Sequence, residues 1–446
     1  MDTPPTPIDI SPPPTPPHSG IPKSKDLRFE KIYINCEWVE YYRPGGYHPV
    51  LLGDVFHNGR YKVIRKLGNG NYSTVWLARD LRNNTYVAIK ILISEIMESA
   101  LDESQILRRL IDVAPEGADY ITPLLSEFDQ HGPNGIHQCL VFEPMGPSVN
   151  TMLEELPQFK SHTSGKEMRY PPWMAKSILK QCLQALAFLH ENGITHGDLQ
   201  PGNMLFALSD LDLKAEDELS QSEDESPTLV QRLDGKYDKW APRYVYTAQP
   251  LVCPIDRVKG FKIKLSDMGG AFRFEEPPTK PITPAGLQPP ELILTGEVNE
   301  TLDIWSFGCL VYELFTGQSL FYVPWFKTES DRKDDRLLSI TSCLGPLPDD
   351  LYKHWKTSSL YFTPERKLYN SNIGGVADDE EPYIAEQWSM EELFDYAGSD
   401  LDEGEARKVK ALIRRILQYD PAKRPSATEL LRDPLFEDEV QSGSSW

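Results

Sequence analysis

The chain is short of positive charge. Its 446 residues carry 46 Lys and Arg against 67 Asp and Glu, a formal net charge of −21. Nucleic acid is thereby disfavoured as a direct partner, because its phosphates would be repelled. A basic peptide stays compatible, since an acidic surface attracts and steers it, although the same charge also serves plain solubility. No apolar run approaches the roughly 20 residues needed to span a bilayer, so no membrane partner is expected. The N-terminus lacks the basic-then-apolar order of a secretory signal, and secretion is not expected. Cysteine is scarce and scattered: six residues (Cys36, Cys139, Cys182, Cys253, Cys309, Cys343), none in a C-x-x-C pair. Free thiols in a reducing compartment fit that usage better than a disulfide framework or a zinc site. Internal repeats are absent too.

What remains is globular: hydrophobic content is 40% and charged content 25%, enough for a sizeable core. Residues 1–37 read as a Pro-rich disordered tail, with TPPTP and SPPPTPP inside it, inert or a ligand for a proline-recognising domain. From Trp38 the pattern changes. Arg60–Leu67, Thr74–Arg79 and Tyr86–Leu92 alternate as strands, followed by a helix around Leu101–Leu110. Leu140–Phe142 is a short strand ending at a natural hinge, Glu143-Pro144-Met145-Gly146. Trp173–His190 is an amphipathic helix stopped by Gly193, and Leu302–Phe315 is apolar on every side, hence a core helix. Residues 209–240 are acidic and Ser-rich, with too few apolar residues to fold alone, so an inserted loop is expected there, the acidic insert spanning 209–260. A second acidic stretch, 378–405, precedes a helix at Val409–Gln418. Strands followed by helices predict an α+β fold with a β-rich lobe at 38–143, a helical lobe at 144–437 and a tail at 438–446.

Several short constellations carry chemistry. Leu67-Gly68-Asn69-Gly70-Asn71-Tyr72-Ser73-Thr74-Val75 forms a Gly-rich hairpin, in which missing Cβ atoms let backbone approach phosphates. Lys90 closes Val87-Ala88-Ile89-Lys90. Glu103 lies one helical turn before Leu107, which turns it inward. His196-Gly197-Asp198-Leu199-Gln200-Pro201-Gly202-Asn203 has the spacing H-x-D-x-x-x-x-N, and Asp267-Met268-Gly269 follows a strand. Pro290-Glu291, Asp303-Ile304-Trp305-Ser306 and Arg424 complete the order. Each element alone is weak, since Asp and Asn crowd loops for turn chemistry. Their conjunction in this order is not coincidence.

These motifs resemble the eukaryotic protein kinases. Within them, the closest likeness is to the SR-protein kinases of the CMGC group. It is carried by Gly46-Tyr47-His48-Pro49-Val50, Gly53-Asp54, the run Gly59–Gly68, Ser73-Thr74-Val75-Trp76-Leu77 and Val141-Phe142-Glu143. It spans about residues 38–437, with the acidic insert where that family carries a spacer. The resemblance implies a bilobal kinase fold and ATP- and Mg2+-dependent phosphorylation of Ser in Arg/Ser-rich proteins such as splicing factors. It makes Asp198 the catalytic base, with Lys90 and Gln200 beside it in the catalytic set. Residues 67–75, Lys90, Glu103, Glu143 and Met145 are implied for ATP, and Asn203 and Asp267 for the metal. Glu291 with Arg424, and Asp303, belong to the scaffold, and His196 to the core beneath Met268. A monomer in cytoplasm and nucleus is expected.

Two positions depart from the pattern. Gln200 stands where the family has Lys, removing a cation that would contact the γ-phosphate; without a replacement the loss is about 10- to 100-fold. Gly197 stands where most kinases carry Arg, so a phosphate on Thr279 or Thr283 lacks its usual partner and activity is expected without activation-loop phosphorylation. The segment ending TPAGLQPPE also lacks the arginine expected there. Two readings therefore stand: an active Ser/Thr kinase, and a non-catalytic scaffold that binds ATP or a basic partner. A small-molecule kinase suits the long segment before Glu291 less well.

Overall fold

Apolar residues between Tyr61 and Leu92 fold as three antiparallel strands that pair their backbones with neighbours, and Thr85–Leu92 buries residues on both of its faces. A computed structural model describes residues 15–16, 26–155, 168–222, 227–252, 260–326, 328–377 and 380–437. Most of the Pro-rich tail, the tail at 438–446 and Cys253 lie outside the described residues. The chain divides into two compact units: 1–118 with 122–147 and 206–261, and 119–121 with 148–205 and 262–446.

In the first unit, β1 (Val55–Phe56), β2 (Tyr61–Asn69), β3 (Ser73–Asp80), β4 (Thr85–Leu92), β5 (Leu124–Gly132) and β6 (Gly135–Phe142) form one antiparallel sheet ordered β1-β2-β3-β4-β6-β5. Helix α1 (Met97–Val113) accompanies it. Val63, Trp76, Ala78, Val87, Ile89, Ile91, Cys139 and Val141 pack as its core. Strand β5 escapes a pattern search because it is an edge strand with a single neighbour. Its charged Glu127 and Asp129 suit an edge, where they discourage pairing with other chains.

The expected tail boundary at residue 37 moves toward the N-terminus. Phe29 is buried and bridges to Arg232, while Glu40 accepts from the backbone N–H groups of Arg28 and Phe29. Lys66, fully buried on β2, pairs with Glu37 and donates to the Tyr246 carbonyl at 2.8 Å. The insert is likewise not a free loop. Leu219 and Leu251 pack with Ile64, Leu77 and Tyr86, Asp212 accepts from the Tyr86 N–H at 2.8 Å, and Thr228–Leu229 pairs with Tyr244–Val245. Its few apolar residues cannot make a core, but they complete one that the sheet supplies. Composition counts such residues without seeing where they land.

The second unit is helical: α2 (Val149–Glu155), α3 (Pro172–Glu191), then helices Pro290–Thr295, Thr301–Thr316, Glu329–Leu344, Met390–Ala397 and Glu403–Ile416. Proline opens α3, where a missing N–H costs nothing, and Gly193 follows its end with φ 71°. Thr301–Thr316 is buried along nearly its whole length, as its all-round apolarity requires. The helix expected from Val409 begins earlier because Asp402 caps it, accepting from the Glu405 N–H at 2.8 Å. Among the described residues, no helix is long and apolar enough to cross a membrane.

Candidate active site

The Gly-rich hairpin joins β2 to β3. Gly68 pairs with Val75 and Asn69 with Thr74, and the Gly70 N–H closes the turn on the Ser73 carbonyl at 2.9 Å. Ser73 replaces a third glycine without strain because it already belongs to β3, opposite Leu92. Neither Gly68 nor Gly70 is forced by the protein's own packing. A Cβ at either position would meet nothing within 4 Å. The open space beside bare backbone suits close approach by a phosphate, which a side chain would obstruct.

Register places Lys90 of β4 opposite Val75 of the hairpin and Leu140 of β6. Its ammonium meets both carboxylate oxygens of Glu103, at 2.8 and 2.9 Å. Glu103 is buried, as is Leu107 one turn later. The inward orientation read from that spacing is the one observed. Glu143 follows β6 and is half-buried, and Met145, opening the next strand, is buried.

The second unit holds the other group. Asp198 lies in a loop anchored by Asp303, whose carboxylate accepts from the backbone N–H groups of His196 at 2.7 Å and Gly197 at 2.9 Å. His196 is fully buried, with Nε2 3.1 Å from the Ser266 carbonyl, which makes it part of the loop's footing. Two amides hold the Asp198 carboxylate: Gln200 Nε2 donates to Oδ1 at 2.8 Å and Asn203 Nδ2 to Oδ2 at 2.9 Å. Burial pushes the Asp198 carboxyl above its ordinary range. The Asn203 bond, His196 and the Gln200 bond counter this, and the nearby Asp267 charge adds to it. Asp267 is brought beside Asn203 by the Ser266 N–H, which donates to the Asn203 carbonyl at 2.8 Å. It adopts a left-handed conformation, φ 61°. Farther off, Arg424 grips Glu291 through two bonds of 2.6 and 2.8 Å.

Two features of this loop were not read from the sequence. Gly197 has φ 76°, and a Cβ there would lie 2.2 Å from the Gly270 carbonyl oxygen. The usual Arg cannot be accommodated on this backbone. Thr283, considered above as a phosphate acceptor, is buried and donates through Oγ1 to the Gly197 carbonyl at 2.5 Å. It is a brace, whereas Thr279 is exposed. A threonine shortly before Pro290-Glu291 was the available signal, but its contact depends on the turn at Gly197.

Comparison with known proteins matches the protein kinase domain family over residues 61–245 and 255–436. The chain is a protein kinase. The kinase is 32% identical to the serine/threonine-protein kinase SRPK of Physarum polycephalum, over 90% of this chain and 91% of that one. It is 26% identical to protein kinase dsk1 of Schizosaccharomyces pombe, covering 91% of this chain and 86% of the relative. A solved kinase domain, PF14_0431, superposes with a TM-score of 0.60 at 24% identity over 88% of this chain and 99% of that one, which shows the shared fold. Within the kinases it belongs with the SR-protein kinases, and its activity is that of a serine/threonine protein kinase. The non-catalytic scaffold reading finds no support.

Proposed function

We propose that the kinase transfers the γ-phosphoryl group of ATP, with Mg2+, to Ser in basic, Arg/Ser-rich protein segments. The carrying observation is the Asp198 carboxylate, clamped by the Gln200 and Asn203 amides with Asp267 alongside. A carboxylate so fixed accepts the serine hydroxyl proton and orients the oxygen for attack, which is positioning more than bond chemistry. In this reading the Lys90 ammonium, steadied by Glu103, holds the α- and β-phosphates, and the Gly-rich hairpin covers them. Gln200 replaces the missing lysine as a neutral donor that steadies the base.

The donors fit a hard cation. Asn203 commits Nδ2 to Asp198, leaving its amide oxygen to stand with the Asp267 carboxylate. The described residues contain no cluster of three His, Cys, Asp or Glu that could hold a metal, and Mg2+ characteristically takes one or two protein oxygens and completes its shell with phosphates and water. When bound, it neutralises charge on the transferred phosphoryl group.

The Arg/Ser preference rests on the likeness to SRPK and on the net charge of −21. The test is γ-phosphate transfer to an Arg/Ser-repeat peptide and to a generic basic protein, with Asp198→Ala as control. Transfer to the repeat peptide, lost in Asp198→Ala, is expected. Equal incorporation by both enzymes ends the catalytic assignment, and labelling of the generic protein alone removes the Arg/Ser preference.

A further inference from the structure

The tip of the Gly-rich hairpin is held from behind by a residue outside the catalytic, ATP and metal sets assigned above. Tyr47 is buried, and its hydroxyl lies 2.7 Å from the Gly70 carbonyl oxygen and 3.2 Å from that of Asn71. The Tyr72 carbonyl is also engaged, accepting from the Ile93 N–H at 2.9 Å. Three successive carbonyls of the tip therefore face the same support.

That support joins residues of the β-rich lobe to one residue of the expected tail, Phe29, and to the insert, through Val245 and Trp240. The Tyr47 ring lies 5.7 Å from that of Tyr42 and belongs to one buried cluster with Phe29, Val39, Ile93 after β4 and Val245 of the insert. Asn134 ties the parts together: its Nδ2 donates to the Tyr47 carbonyl at 2.6 Å and to the Trp240 carbonyl at 2.8 Å. The approach is tight enough to demand Gly46, where a Cβ would sit 1.8 Å from the Tyr41 carbonyl oxygen.

We infer that Tyr47 is a positioning residue for nucleotide binding: its hydroxyl fixes the peptide planes at the hairpin tip before ATP arrives. A peptide unit is planar, so a carbonyl bonded to Tyr47 turns the following N–H to the opposite side. Holding the Gly70 and Asn71 carbonyls thus presents the Asn71 and Tyr72 N–H groups together, as a phosphate requires. A Gly-containing tip without this restraint samples many conformations, and the ordering cost then falls on ligand binding. The inference rests on the ATP reading above and extends it to a residue outside the hairpin.

Tyr47→Phe removes the hydroxyl and keeps the ring, so the packing that supports folding survives. One hydrogen bond's net worth predicts a roughly 3- to 10-fold weaker affinity for a fluorescent ATP analogue. It also predicts faster amide exchange in peptides covering 68–73 of the nucleotide-free protein, with exchange in the helix Thr301–Thr316 unchanged. In steady state, KM for ATP should rise by the same factor while kcat moves less than about two-fold. Unchanged exchange at 68–73 overturns the inference, as does weakened binding accompanied by faster exchange throughout the chain. Failure of the wild type itself to bind the analogue would instead remove the ATP reading and the inference with it. The exchange measurement, made without nucleotide, separates these two failures.

Discussion

A single missing side chain explains how the catalytic loop departs from the common kinase pattern. Gly197 adopts φ 76° against the Gly270 carbonyl, and its own carbonyl accepts the Thr283 hydroxyl. A left-handed turn with no room for Cβ excludes Arg on this backbone, and the loop is braced by a buried threonine without recourse to a phosphate. Gln200 fits the same pattern, its amide steadying Asp198 where a lysine would have brought charge. The two threonines of the activation segment must therefore behave differently. Thr279→Ala, at an exposed site, should leave kcat within about two-fold. Thr283→Ala removes a buried hydrogen bond and leaves the Gly197 carbonyl unpaired, at a cost of about 1–3 kcal/mol. It should lower both kcat and the melting temperature, by several degrees for the latter. Steady-state kinetics and thermal unfolding of the two single variants check this. A kinetic loss in Thr279→Ala would return control to phosphorylation of the segment.

At the scale of elements, what was legible followed local chain spacing. Lys90 and Glu103 could be paired on paper because a strand and the following helix fix both orientations, and Asp198, Asn203 and Asp267 because one loop and one turn carry them. The N-terminal segment and the insert were not legible. Phe29, Glu37 and Trp240 find partners far away in sequence, and nothing local distinguishes them from linker residues. The same unit also buries two histidines, His48 and, on the inner strand β6, His137. His48 lies with its ring 4.8 Å from that of His137 and 5.7 Å from that of Phe56, and its Nδ1 has no partner among the described residues. Burial, and then the His137 charge, lowers the His48 value to about 3, and burial lowers His137 as well. The folded protein thus refuses a proton that the unfolded chain accepts below about pH 6.5. For His48, stability is full above that pH and falls as pH drops toward 3, by about 1.4 kcal/mol per pH unit, and the lowered His137 acts in the same direction. His48→Phe keeps a buried ring without the titration. Urea unfolding at pH 7 and 5.5 should show the difference between the two pH values reduced by about 1.3 kcal/mol in the variant. An unchanged difference would mean that His48 takes up its proton without cost.

Across the whole molecule the dominant quantity is charge. A net −21 disperses over a chain in which acidic residues mostly stay solvent-facing, while a few, such as Glu37, Glu103, Glu291 and Asp303, are buried against partners. The buried ones shape the fold and its site, and the remainder produce a long-range field. In the proposed reading that field would favour encounter with arginine-rich segments over anionic polymers, acting on encounter more than on the chemical step. Ionic strength separates the two contributions, because the screening length falls from roughly 10 Å at 0.1 M to a few Å at 1 M. For an Arg/Ser-repeat peptide, kcat/KM should drop several-fold between 50 and 300 mM NaCl, while kcat at saturating peptide changes little. A serine peptide of zero net charge should lose less than about two-fold in kcat/KM over the same range. Parallel salt curves for the two peptides would assign the acidity to solubility alone and leave substrate choice to short-range contacts.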